Sequence, residues 1–172
     1  MTQKVKILKM IVDVIKIEHV LEKIKYYVER NSSAYICVSN VHMCMEVFDS
    51  DNFEKVVNQS DMVVADGRPI FWAQKLLGFN DASHIKGIDL MKALCSFANN
   101  EGLKVGLYGG NSNETLANLQ KKLKKNYHEL KITYAYSPPF HKLSSKEQEK
   151  VQIDIKNSDV DILFVGIGCP KQ

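Results

Sequence analysis

Asp66 is the residue whose neighbours best suit it to acid–base chemistry. It follows the apolar run Met62-Val63-Val64-Ala65 and precedes Gly67, Arg68 and Pro69. Such a run, closed by Asp-Gly and reopened by Pro, reads as a buried strand that turns directly into a helix. Pro69 would take the first helical position, and Gly78 would fall just past the last turn. Asp66 then lies on the loop at the carboxyl end of a strand, where open α/β sheets bind ligands. A carboxylate there can act as a general base or orient a ligand. The alternative for the same residue is a simple cap on the helix of residues 69–77, because Asp is a favoured N-cap.

Three more predicted strands end in unusual turns: Ser39-Asn40, Gly109-Gly110-Asn111 and Gly166-Ile167-Gly168. Glycines at such ends let a ligand approach the backbone closely. The Gly109-Gly110 turn runs into a helix N-terminus, whose free N–H groups and dipole favour an anion such as a phosphate. The alternative is a tight strand-to-helix turn with no ligand. Gly106-Leu107-Tyr108-Gly109-Gly110 does not fit the G-x-G-x-x-G dinucleotide fingerprint, which disfavours a nicotinamide-dependent oxidoreductase. No G-K-[ST] follows, so it is not a P-loop either. Cys44 and Cys169 would be nucleophiles only beside an activating base; packed or surface thiols are the simpler reading. Lys121, Lys122, Lys124 and Lys125 read as a solvated helix face, and Phe71 and Trp72 as core.

Strands and helices alternate around these residues. Lys4 to Val14 reads as one strand or a tightly broken pair. Ile17, Val20, Leu21, Ile24 and Val28 mark an amphipathic helix. A strand over 34–38, two helices over 41–48 and 53–58, and the strand ending at Asp66 follow. Beyond Gly78 come a helix to about Asn99, a strand over 103–108, and a helix that Asn111 can cap with Glu114 three residues on. A strand over 130–136, a helix opened by the Ser144–Glu147 capping box, and a strand over 161–165 complete the order. The alternation predicts a mostly parallel, Rossmann-like α/β sheet with helices on both faces, in one domain over residues 1–172. All four special turns would then share one sheet edge.

The chain has 172 residues, 45% of them hydrophobic and 25% charged, with a net charge of +3. That is ordinary for a globular domain, and too weakly basic to argue for nucleic acid. Four scattered cysteines without a C-x-x-C pair fit neither a zinc site nor a disulfide framework; they suggest reduced thiols in a cytosolic protein. No apolar run approaches the ~20 residues of a membrane span, so any membrane contact is expected to be peripheral.

The motifs carry a resemblance. Val64-Ala65-Asp66-Gly67 with Pro69, Trp72-Ala73, Lys75 to Gly78, Gly87-Ile88-Asp89-Leu90, Leu107 to Gly110, Ser137-Pro138-Pro139-Phe140, and Asp161 to Gly168 with Pro170-Lys171-Gln172 fall in the order of one family. The chain resembles the WecG/TagA/CpsF glycosyltransferases from its first strands to its last residue. The resemblance implies inverting transfer of a sugar from a UDP-sugar donor to a polyprenyl-diphosphate-linked sugar acceptor. The setting it implies is the cytoplasmic face of the cell membrane, in teichoic acid or other cell-surface polysaccharide synthesis.

The resemblance assigns Asp66 as the base. It matches Asn40 and Gln172 to the family's polar substrate residues, and with the strand-end turns and the Gly87-Ile88-Asp89 motif the expected substrate-binding set is Asn40, Gly67, His84, Gly87, Asp89, Gly109, Gly110, Asn111, Gly166, Gly168 and Gln172. The family has no D-x-D metal motif and this sequence shows none, so neither metal nor cofactor is expected. Backbone N–H groups would then compensate the leaving diphosphate. Two positions depart from the family pattern: Val38 stands where a Thr is usual and His84 where an Arg is usual. A neutral imidazole supports a leaving group less well than a guanidinium. The family also continues past P-K-Q into a basic, amphipathic, membrane-associating appendage. Without it, this chain is expected to transfer weakly or not at all, and an uncovered hydrophobic face could drive self-association. The competing reading is a non-catalytic nucleotide-sugar-binding remnant.

Overall fold

The computed structural model describes residues 2–171; Gln172 lies outside them. The fold is mixed α/β with parallel sheets, consistent with the Rossmann-like class. Its residues gather into two compact units, one ending at Leu90 and the other starting at Met91.

In the first unit, β1 (Gln3–Ile7) and β2 (Met10–Val14) form an antiparallel hairpin with Val5 opposite Val12. Of the two readings of Lys4 to Val14, the pair is the one observed. α1 (Ile17–Glu29) buries Val20 and Ile24 on its apolar face. β3 (Ile36–Ser39) is joined to β4 (Met62–Ala65) through α2 (Val41–Asp49) and α3 (Asp51–Asn58). Ser50 serves both helices: its N–H donates to Glu46 O, and its hydroxyl accepts from Phe53 N. β3 and β4 pair in parallel, Ser39 opposite Ala65.

All four residues of β4 are buried. β2 packs along it, yet the link is a side chain rather than a ladder. Asp13 Oδ2 accepts the Val63 N–H at 2.9 Å. α4 (Arg68–Leu76) starts at Arg68 with Gly67 as N-cap, so Pro69 is its second residue, one later than expected. This helix corrects another expectation. It buries Ile70 and Gln74, while Phe71 is half-buried and Trp72 is 54% exposed. The cause is polar: the Gln74 amide donates to Asp13 O at 3.1 Å. That bond turns the Ile70–Gln74 stripe inward and leaves Trp72 outside.

α5 (Gly87–Glu101) leads from one unit to the other and buries Leu90, Leu94, Cys95 and Ala98; Met91 is half-buried. The second unit holds β5 (Lys104–Gly109), β6 (Lys131–Tyr136) and β7 (Ile162–Gly166) in a parallel sheet of order β6-β5-β7. α6 (Asn113–Asn126) and α7 (Ser145–Asn157) connect these strands. Ser112, not Asn111, caps α6, its hydroxyl accepting from Thr115 N at 3.1 Å. The capping box of Ser144 and Glu147 on α7 is formed. Each parallel ladder closes within its own unit. The four special turns therefore divide two and two between separate ladders instead of lining one sheet.

Candidate active site

The buried run of β4 brings the chain out at Asp66, which is half-buried. The neighbouring strand fixes this exit. Ser39 O accepts from Asp66 N at 2.9 Å and from Gly67 N at 3.3 Å. The Asp66 carboxylate does not cap α4, whose N-cap makes no side-chain bond. Instead Oδ1 accepts the N–H of Gly87 at 2.8 Å. Gly87 opens α5, so the carboxylate satisfies one of the orphan donors at that helix's N-terminus. This tertiary cap starts α5 at Gly87. Oδ2 accepts from none of the described residues, which leaves one carboxylate oxygen for a ligand.

Glycines make the approach possible. Gly67 has an ordinary φ, but a Cβ there would stand 3.2 Å from Asn40 Cα and 3.3 Å from Asn40 Cβ. A Cβ on Gly87 would stand 3.3 Å from Val38 Cγ1 and 3.9 Å from Asp66 Oδ1. Asn40, Asp66, Gly67 and Gly87 are thus gathered at one place, with Val38 alongside. Asn40 Oδ1 is engaged as the cap of α2, accepting from Met43 N at 3.1 Å; its amide nitrogen keeps its donors. His84 joins them: its Nε2–H donates to the main-chain O of Asp66. A carbonyl only accepts, so Nε2 carries a proton. The ring stacks on Phe71 with centroids 6.1 Å apart. Asp89 lies in the first turn of α5, exposed; its N–H donates to Lys86 O at 3.0 Å, and its carboxylate bonds to no described group.

The remaining candidates lie in the second unit. Gly109 sits opposite Gly166 at the β5–β7 end. Its φ is +145°, and a Cβ there would fall 2.4 Å from Gly166 O, so no other residue fits. Gly110 (φ +100°) leads to α6, and the Ser137 hydroxyl donates to Gly110 O at 3.0 Å. Asn111 is exposed in that turn. Gly168, at φ +77°, has open space around its missing Cβ. The result is a strand end stripped of side chains, beside the N-terminus of a 14-residue helix.

Three of the four thiols are held in their protonated, weakly nucleophilic form. Burial pushes Cys37 and Cys44 up from the ordinary thiol value, and Cys95 up to about 11. Among the described residues, no three or more His, Cys, Asp or Glu side chains gather as a metal site, and no helix is long and apolar enough to cross a membrane. Sequence reasoning missed Asp13 and Gln74, buried polar residues that brace β4 beneath the site. Asp13 alone left a trace, as the one charge inside Met10 to Ile15.

Fold and site together define an α/β protein with a half-buried carboxylate at a strand end. The chain belongs to the glycosyl transferase WecG/TagA/CpsF family, whose profile matches residues 5–172. Curated relatives share one name, N-acetylglucosaminyldiphosphoundecaprenol N-acetyl-beta-D-mannosaminyltransferase. The protein of Bacillus spizizenii (strain W23) is 27% identical over 146 residues, covering 85% of this chain and 54% of the relative. That of Staphylococcus aureus (strain NCTC 8325) is 30% identical over 173 residues, covering 99% of this chain and 66% of the relative. The chain thus spans between half and two thirds of the length of these relatives.

Proposed function

We propose that this chain is the core of an inverting glycosyltransferase. It moves a hexose or N-acetylhexosamine from a UDP-sugar to a polyprenyl-diphosphate-linked sugar in cell-surface polymer synthesis, working peripherally at the inner membrane face without a metal. The names of the relatives make N-acetylmannosamine the first sugar to try and diphosphoundecaprenol-linked N-acetylglucosamine the first acceptor.

The observation that carries this reading is the Asp66 carboxylate. One oxygen is anchored on the Gly87 N–H and the other accepts from no described residue. In the proposed step Asp66 Oδ2 takes the proton of the acceptor hydroxyl as its oxygen bonds to the anomeric carbon. The bond from that carbon to the diphosphate breaks on the opposite face, and UDP leaves with the electron pair. Within the second unit, the bare glycine backbone at Gly109, Gly110 and Gly166 and the N-terminus of α6 are features suited to an anionic group such as a phosphate. His84 braces the Asp66 main chain.

The test is a calorimetric titration with UDP, with and without magnesium, followed by UDP release from the donor in the presence of lipid-linked acceptor. The reading expects magnesium-independent binding. It also expects weak turnover that Asp66→Asn lowers further while UDP still binds. Failure to bind UDP would overturn it, and binding with no turnover in either form would favour the non-catalytic remnant.

A further inference from the structure

α4 presents an outer surface that its packing leaves unexplained. Arg68, Trp72 and Leu76 recur at i, i+4 and i+8, so they form one ridge along the helix. Trp72 is 54% exposed, Leu76 88%, and Leu77, the next residue, 56%. The Arg68 side chain is exposed and its guanidinium bonds to no described residue. Lys75 is occupied on another side, donating to Asn80 O and lying over the Phe71 ring. The helix carries no acidic residue. Across residues 67–88 the charges are Arg68, Lys75 and Lys86 against Asp81 alone.

We propose that this ridge seats the protein on the anionic surface of a lipid bilayer. The inference rests on the reading that the acceptor is lipid-linked, and it adds the surface that meets the lipid. Three observations favour a bilayer over a protein partner. Trp with aliphatic neighbours and a cation is the composition that settles at the membrane interface, the ring at headgroup level and the leucines deeper. The unopposed cation complements anionic headgroups. Arg68, Trp72, Leu76 and Leu77 by themselves fall well short of the ~800 Å² per partner of a stable protein interface.

Position supplies the functional reason. The ridge begins two residues after Asp66 and runs about 12 Å at the helical rise. The sugar of a polyprenyl-diphosphate acceptor is held one diphosphate away from the hydrocarbon, within an interfacial layer of about 5–8 Å per leaflet. A helix that meets the headgroups along this ridge brings its own N-terminal end, and with it Asp66, to the depth of that sugar.

Trp72 is the only tryptophan in the chain, so the intact protein reports on its own ridge. Its emission is recorded with vesicles of phosphatidylcholine alone, of phosphatidylcholine with phosphatidylglycerol, and of the mixture with brominated acyl chains. The expected result is a blue shift and bromine quenching with the anionic mixture, weakened by salt. Leu76→Glu with Leu77→Glu, at positions too exposed to disturb folding, should weaken vesicle partitioning by at least about tenfold. Arg68→Gln should reduce its salt sensitivity. Absence of vesicle binding would overturn the proposal, as would binding without quenching of Trp72. So would a blue shift that grows with protein concentration without lipid, which would assign the ridge to a second copy of the chain. The vesicle readout uses no sugar nucleotide, so docking and transfer can fail separately.

Discussion

The two units hold their candidate residues by opposite means. The first places a side chain. Asp66 leaves a strand buried at every position, and buried polar groups brace that strand: Asp13 on Val63 N, Gln74 on Asp13 O, and Ser39 O on the amides of Asp66 and Gly67. The second removes side chains. Its strand end is glycine at 109, 110, 166 and 168, β7 becomes exposed toward that end, and α7 buries no residue. Dry packing suits a group that must stay within hydrogen-bond reach of one reacting atom. Bare backbone suits a diffuse anionic charge, which several N–H groups can share. The difference teaches that the proposed base and the proposed anion cradle place different demands on the chain.

The comparison can be broken by substitutions on either side. The largest effect is expected from Asp66→Asn, which removes the proton acceptor while keeping the Oδ1 contact to Gly87. UDP-release assays should show turnover reduced about 10²–10⁴-fold, with UDP affinity by calorimetry unchanged. Next is Gly109→Ala, which combines a forbidden φ with a clash on Gly166 O and should cost about 3 kcal/mol in denaturant melts. Gly67→Ala should cost less, since its φ is ordinary and its neighbour Asn40 can shift. Equal costs would erase the proposed difference between the units.

Asp13→Ala tests the bracing of the first unit. It leaves the buried Val63 N–H without its acceptor and should destabilise by about 1–3 kcal/mol. Because β4 ends at Asp66, turnover should fall as well, with UDP affinity less affected.

The smallest effect is set by pH. Cys37 and Cys44 in the first unit and Cys95 in the second have thiols raised by burial from 9.0, Cys95 to about 11. A raised folded value means that the unfolded chain loses these protons first. Their contribution is full below pH 9 and lost as pH rises toward 11. Thermal midpoints should fall across that window, and replacing Cys95 by Ala should flatten the fall.

Much of this architecture could be read locally. The apolar run closed by Asp-Gly-Arg-Pro, the Ser144–Glu147 box and the spacing of Val20 and Ile24 depend on residues within a turn or two of one another, so the chain alone defines those elements. Gly109 and Gly110 were legible too, because consecutive glycines at a strand-to-helix turn have few other uses. Some features depended on partners distant in sequence. Asp66 spends an oxygen on Gly87, 21 residues on, and thereby sets where α5 begins. Gln74 bonds Asp13 across 61 residues, and this decides that a glutamine is buried while Trp72 faces out. Apolar periodicity cannot foresee either, since it ranks side chains by hydrophobicity and is blind to which buried polar group will find a mate. The order of elements and the family motifs belong to the sequence. Which carboxylate oxygen stays open, and which face of α4 meets solvent, were decided by hydrogen bonds that exist only once the chain has folded.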